Sequence, residues 1–557
     1  MAHDVVIRDG RIVDGTGRPA FDGDVAISDG RIVAVGAVGG TADRTIDAKG
    51  HVVAPGFIDA HTHYDAQLLW DPTANPSTAH GITTVLTGNC GYTLAPVRLE
   101  DQDYLIGLFA AAEEIPKVAL QRFAPLGWQS FPEYLSWMRG RVAVNILTQV
   151  GHSAVRRFVM GDDALERAAT AEEITEMVAI VEAAIRAGAA GLSSSQAPHQ
   201  RGELGEHIPS YFADRAELRA LAKAVRRTSG RLLSINPASK RTGIDDEDRA
   251  LLTELADISG AVVSWNDFGM GTPDGDSVLE YMEAELEQGR MIYAVARCQR
   301  AETRFTLKKL SAVFATSEAW VDLSKLDPDE KLVALADPAW RSKLAEFWDS
   351  ARFMVNTSVE KAATADTAPL EGRLLVDIAD ERGVTPAEVM FDVAIADDLA
   401  TFFRISGPVN TDESRLERIL KSPSTLVGIS DGGAHLQTFA GGDYTSYFLA
   451  HWVREKGAFT IEEGVAALTS RVAGFLGLTD RGTLEVGKAA DVVIFDPDTV
   501  EPLALQTLDD IPGGGTRMTK EAMGIPWVLV NGELVVDEGR STSAVPGEVL
   551  SGGSSSR

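Results

Sequence analysis

Two histidines separated by one residue, His61 and His63, close the short apolar run Phe57-Ile-Asp-Ala-His61. Side chains at i and i+2 of a strand share a face, so both imidazoles would point the same way and form half of a divalent-metal chelate. The bland alternative is a pair of hydrogen-bonded polar histidines, and the preceding Ala54-Pro-Gly-Phe-Ile-Asp-Ala60 favours the chelate. A soft donor, Cys90, sits in Gly88-Asn-Cys-Gly91 at the end of a second apolar run, either as inert filler or as a thiolate reaching the same space. Thiolate with imidazole suits zinc better than magnesium. Far along the chain, Ser430-Asp431-Gly-Gly-Ala-His435 supplies a carboxylate that could bind the metal or take a proton from water the metal activates, the alternative being a helix N-cap. Other polar groups follow further apolar runs: Gln149-Val-Gly-His152, Ser193-Ser-Ser-Gln196 with His199 beyond, Asn236, and the group Arg297, Gln299 and Arg300. These last three would pair with the acidic surface.

The elements that must position these groups can be counted. Short strands are expected at 57–61, 82–87, 144–150, 188–193, 231–235, 261–265, 291–296 and 426–430, with helical periodicity between them. Thr170-Ala-Glu-Glu173 is a capping box, Ile174, Met177, Val178, Val181 and Ile185 form an apolar stripe, and Gly188 closes the helix. Eight strand-then-helix units predict an α/β fold, a (β/α)₈ TIM-type barrel over 55–481, with its chemistry at the C-terminal strand ends. The seventh unit carries a helix-rich insertion at about 300–372 containing Trp320, Trp340, Phe347 and Trp348, either a surface excursion or a lid. Asp-Gly turns between alternating runs near the start, and similar runs near the end, predict two small sheets packed as one β-sandwich from 1–54 plus 482–545. Residues 546–557 read as a flexible tail.

Composition narrows the function. With 52 Lys+Arg against 81 Asp+Glu the net charge is −29, which disfavours nucleic acid and anionic membrane surfaces as partners. No apolar run is long enough to span a membrane and no secretion signal is evident, so a cytoplasmic protein acting on a small molecule is expected. Two cysteines in 557 residues make no disulfide framework. The Trp-rich insertion and the terminal sandwich each offer an apolar patch for a homo-oligomer, and a monomer is equally compatible with them.

With these residues in hand the chain resembles the amidohydrolase superfamily and, within it, the N-acyl-D-amino-acid deacylase (D-aminoacylase-like) branch. The resemblance rests on Asp14-Gly-Thr-Gly17, Pro55-Gly-Phe-Ile-Asp-Ala-His-Thr-His63, Gly88-Asn-Cys-Gly91, Gly151-His152, Ser430-Asp-Gly432 and Gly487-Lys-Ala-Ala-Asp-Val-Val-Ile-Phe-Asp496. It implies that His61, His63 and Asp431 bind a metal and that Cys90 is the cysteine ligand peculiar to the branch. It also implies histidines ending the fifth and sixth strands, where this chain has Asn236 and Asn266, and no lysine ends the fourth. One zinc per chain is therefore expected and a second tightly held metal is not. The expected activity is hydrolysis of an amide, a non-peptide C–N bond, with Asp431 as proton carrier, His152 or Asn236 steadying the oxyanion, and Asn236, Arg297, Gln299 and His435 around the substrate. A deaminase, cyclic amidase or lactonase would use the same site, and a barrel that has lost its metals and only binds ligands is the reading from outside enzymology.

Overall fold

The computed structural model describes residues 2–552 apart from 270–271, 301, 407–409 and 411. Its centre is a set of parallel strands: β1 (Phe57–Asp59), β2 (Ile82–Thr87), β3 (Asn145–Thr148, resuming at Val150–Gly151), β4 (Gly191–Ser195), β5 (Leu232–Asn236), β6 (Val262–Phe268), β7 (Ile292–Arg297) and β8 (Thr425–Gly428). β1, β2 and the first part of β3 form one sheet, and the second part of β3 through β8 forms another. Backbone hydrogen bonds tie the two sheets at both seams. The Ala190 amide donates to Thr148 at 2.8 Å, and the His63 amide to Gly432 at 2.7 Å.

These strands are apolar on both faces, and the structure shows why. Ile58, Leu86, Leu147, Leu232, Val262, Val295 and Leu426 share one core. Their chain neighbours Phe57, Val85, Ile146, Leu233, Val263, Ala294 and Val427 belong to a second core that takes in the surrounding helices. Alternation of period two between two dry cores produces near-continuous hydrophobic runs. The helix Ala171–Ala187 starts at the expected capping box of Thr170 and Glu173 and ends at Gly188. It buries Met177, Val181, Ala184 and Ile185.

Three expectations need correction. The strands of the two chain ends are not two separate sheets; Val492–Phe495 pairs antiparallel with Val52–Pro55, so both ends join one nine-stranded sheet, whose halves share a core. An exposed edge on each half would have been a liability, and pairing them removes it. The insertion extends past 372 and is not purely helical: Glu302–Phe305, Phe402–Ser406 and Thr357–Lys361 form an antiparallel sheet. With helices Leu375–Arg382 and Pro386–Ala396 it builds a separate core around Phe314, Trp320, Phe347 and Met390. Finally, the tail is tied down as far as it is described. Gly547 donates to Val142 at 2.9 Å, Ile146 to Glu548 and Leu550 to Ile146 at 2.8 Å each, and Gly552 to Gly188 at 3.2 Å; residues 553–557 lie outside the described residues.

Four backbone bonds, each worth about 1 kcal/mol, make the tail part of the fold. Truncation after Val545 should lower the midpoint of thermal unfolding by several degrees, measured by calorimetry; an unchanged midpoint would show that the segment merely lies alongside β3.

Candidate active site

The C-terminal ends of the parallel strands converge on a cavity of about 380 Å³. The polypeptide follows β1 into Asp59-Ala60-His61-Thr62-His63, and the Asp59 carboxylate accepts the His61 amide at 3.0 Å, fixing the strand end. One donor atom from each of His61, His63 and Cys90 lies within 4.8 Å of the others, and all three side chains are buried. His61 Nε2 is 3.6 Å from Cys90 Sγ. Cys90 comes from the turn after β2, where Gly88 has φ +72° and a Cβ there would stand 2.2 Å from the Gln149 carbonyl oxygen. Cys90 itself is left-handed at φ 57°, as are Asp431 at 49° and His435 at 53°. Non-glycine residues occupy this region at a cost of order 1–3 kcal/mol each and gather where function requires it.

Asp431 follows β8. Its Oδ1 stands 3.4 Å from His61 Nε2, and its Oδ2 accepts from Arg297 at 2.7 Å. Burial would raise its pKa, but the Arg297 guanidinium and the neighbouring His61 hold it below the usual carboxylate range. Burial pushes His61 down to about 4 and His63 well below its ordinary value, so both imidazoles are neutral; the His61 Nε2 lone pair accepts from Asn266 Nδ2 at 2.9 Å, a contact a bound cation would replace. His63 Nδ1 is buried without a hydrogen-bond partner. Burial pushes the Cys90 thiol up to about 12. Two imidazoles and a thiol, all buried and each with a donor atom within 4.8 Å of the others, are the donor types zinc prefers, and a bound metal would deprotonate the thiol. The residues present therefore fit a divalent ion of zinc type.

The other expected residues divide. Asn236, at the end of β5, donates to Cys90 Sγ at 3.4 Å. His435 lines the cavity and bonds Glu114 at 2.8 Å; burial opposes its charged form, yet that carboxylate raises its pKa to about 9. Arg297 does not present a free fork to a substrate: it is committed to Asp431, to Asp267 at 3.3 Å and to the ring of Phe439. Gln299 is buried and, like Arg297, is not among the cavity-lining side chains. His152 is also misplaced by the sequence reading. It is fully buried, with one ring nitrogen 2.8 Å from Ser194 Oγ and the other 2.7 Å from Glu217, which also pairs with Arg156. A histidine satisfied at both nitrogens inside a buried ion cluster has no donor left for an oxyanion.

Two groups escaped the sequence reading. Glu113 and Glu114 come from the loop after the helix Gln102–Ala112, away from any strand end, and Glu113 Oε1 stands 3.4 Å from His63 Nδ1. Burial pushes Glu113 up to about 8. Lys240 lies four residues beyond β5 and reaches back to the strand ends, where its Nζ donates to Asn266 Oδ1 at 2.7 Å. A basic residue just past a strand end of so acidic a chain was the available signal.

The family model described as "Amidohydrolase family" matches residues 44–536. The chain belongs to the amidohydrolase family. D-aminoacylase of Alcaligenes xylosoxydans xylosoxydans is 29% identical to it over 98% of this chain and 97% of that protein. Among solved structures, N-acyl-D-glutamate deacylase from Bordetella bronchiseptica, complexed with zinc and a phosphonate mimic of the tetrahedral intermediate, is 26% identical with a TM-score of 0.68, over 99% of this chain and all of that one. A D-aminoacylase described as having a binuclear metal centre, with one-metal activation and second-metal attenuation, is 27% identical with a TM-score of 0.66, over 99% of this chain and 100% of that one. As an amidohydrolase, the protein is an enzyme of carbon–nitrogen bonds other than peptide bonds, of α/β architecture. Among the described residues no helix is long and apolar enough to cross a membrane.

If His152 is structural, His152→Ala should leave Ser194 Oγ and one Glu217 oxygen without their partner in the interior, while the Arg156–Glu217 pair stays, and destabilise the fold by about 1–3 kcal/mol, with turnover of the folded fraction changed only a few-fold. Burial raises and the bond from His152 lowers the Glu217 pKa, and the net shift is downward from 4.5. The stabilisation from Glu217 is thus present above pH 4.5 and lost as pH falls through the lower folded value. The variant should lose part of this acid-side component in pH-dependent unfolding, Arg156 retaining the rest; a loss of turnover by orders of magnitude at unchanged stability would return His152 to the chemistry.

Proposed function

We propose that this enzyme is a zinc-dependent deacylase of N-acyl amino acids, of the D configuration that its relatives' names carry. The observation that supports the reading best is the meeting of His61, His63 and Cys90 within 4.8 Å, with His63 Nδ1 unpartnered, at the foot of the cavity. In the same reading the two parallel sheets are one closed (β/α)₈ barrel, supported by the hydrogen bonds across both seams. The single terminal sheet forms a smaller domain, and the insertion overhangs the cavity as a wall, contributing Lys308, Lys309, Phe314 and Trp320.

His61, His63 and Cys90 would hold the metal, with Asp431 beside them. When bound, the ion polarises the scissile carbonyl and acidifies water. The chain's own groups then divide the remaining work. Asp431, kept ionised by Arg297, has its Oδ1 turned to His61 and free of Arg297. This oxygen takes the proton of the attacking water and returns it to the leaving nitrogen, so that the C–N bond breaks to a carboxylic acid and a free amine. The substrate carboxylate enters a chain of net charge −29 through a mouth that carries Arg201, Arg241, Lys308 and Lys309. Local cations in a concave site outweigh a distant like-signed field. Arg241 is exposed there and makes no hydrogen bond or ion pair among the described residues, so it is the natural partner of that carboxylate.

The test is a panel of N-acyl-D- and N-acyl-L-amino acids read as free amine. Amine should appear with the D series, vanish after chelation and return with zinc. Asp431→Asn should retain the metal and lose roughly 10²–10⁴-fold in turnover, the usual worth of a placed acid–base group. Ammonia in place of an amino acid would assign deamination, and turnover indifferent to chelation would remove the metal from the reading.

A further inference from the structure

The side of the cluster facing β5 and β6 is occupied by an unusual combination. Lys240 is 8% exposed, and its Nζ donates to Asn266 Oδ1 at 2.7 Å and to Asn236 Oδ1 at 3.5 Å. An amide has one acceptor end and one donor end. With both oxygens drawn to the lysine, both NH₂ groups turn the other way. Asn236 Nδ2 and Asn266 Nδ2 each lie 3.4 Å from Cys90 Sγ, and Asn266 Nδ2 is also 2.9 Å from His61 Nε2. The backbone N–H of Asn266 additionally donates to Asn236 Oδ1 at 3.4 Å.

This arrangement has two chemical consequences. Toward the sulfur it presents N–H donors, which stabilise a thiolate, the form a metal binds. Toward any cation on the β5–β6 side it presents hydrogens and an ammonium in place of lone pairs. Beyond the Cys90 sulfur, a divalent ion there would meet N–H donors in place of lone pairs and a like charge in a poorly screened interior. We propose that Lys240 is the centre's second cation: it locks Asn236 and Asn266 with their donors inward, so that the site accepts one divalent ion, at His61, His63 and Cys90, and excludes a second. The proposal rests on the metal-dependent reading above and sets this chain apart from its relative described as binuclear.

Zinc per chain, measured by elemental analysis after equilibration with excess zinc and gel filtration, tests it directly. The wild type should hold one equivalent. Asn236→His with Asn266→His should still hold one while Lys240 remains, and adding Lys240→Met to that pair should raise the number to two. Two equivalents in the wild type, or in the histidine pair with Lys240 in place, would overturn the proposal, as would a triple variant that still holds one. No zinc in the wild type would instead sink the metal reading itself. Should the histidine variants fail to fold, cobalt titration of the metal-free wild type beside Lys240→Met decides. A cobalt–thiolate band saturating at one equivalent in the wild type, with a second equivalent gained in Lys240→Met, supports Lys240 as the second cation; a second tight equivalent in the wild type, or one equivalent in both, overturns it.

Discussion

Two neutral imidazoles and a protonated thiol are sealed together away from water, and much of the structure around the strand ends answers to that cost. Burying polar groups is expensive unless partners complete them, and Asn236 and Asn266 donate to the sulfur and to His61. The fold brings the three together by backbone alone: β1 supplies both imidazoles by its period of two, and the turn after β2 supplies the sulfur through a left-handed residue behind a glycine. The surrounding polar atoms then fall into line. Asp431 is drawn toward His61 and held charged by Arg297, and Glu113 is driven toward its neutral form beside His63.

The parts of this arrangement that follow from period and spacing were legible in the sequence. A strand that is apolar on both faces declares itself, and eight of them, with polar residues just past their ends, point to one site on a parallel-sheet fold. His61, His63, Cys90 and Asp431 could be named because each sits immediately beyond such a run. Side chains that travel were not legible. Lys240 returns from four residues past β5, and the Glu113–Glu114 pair arrives from a helix end. His152 illustrates the opposite failure. It also sits at a strand end, but the helix it begins turns it outward to Glu217, and nothing in the local sequence says that the acceptor it meets lies 65 residues away.

The same limit explains the errors in the fold. Short alternating strands at both ends of the chain predict a sheet at each end, but whether two sheets stack or share an edge depends on which backbone groups are left unpaired in three dimensions. Val492–Phe495 and Val52–Pro55 solve that by pairing with each other. The polar composition of the last residues reads as disorder, yet backbone bonding needs no particular side chains. Gly547 is placed so that even a Cβ would stand 2.1 Å from the Val144 carbonyl oxygen, and that closeness cannot be inferred from a Gly/Ser-rich tail.

Charge shows how the global and the local separate. A net charge of −29 argues against polyanionic partners, and taken alone it would also argue against an anionic substrate. The insertion resolves the conflict because its own hydrophobic core makes it an independent platform, able to carry Lys308, Lys309 and Lys331 to the cavity without disturbing the parallel strands beneath. Cation placement then works at two depths. At the mouth, in the proposed reading, exposed basic groups on the insertion and the loop after β5 would select and orient an anion at long range. At the base, Lys240 acts through two amides on a thiol it does not touch. The first kind weakens with salt and the second, being buried, does not, so a chain can carry an acidic surface and a cationic site without either cancelling the other.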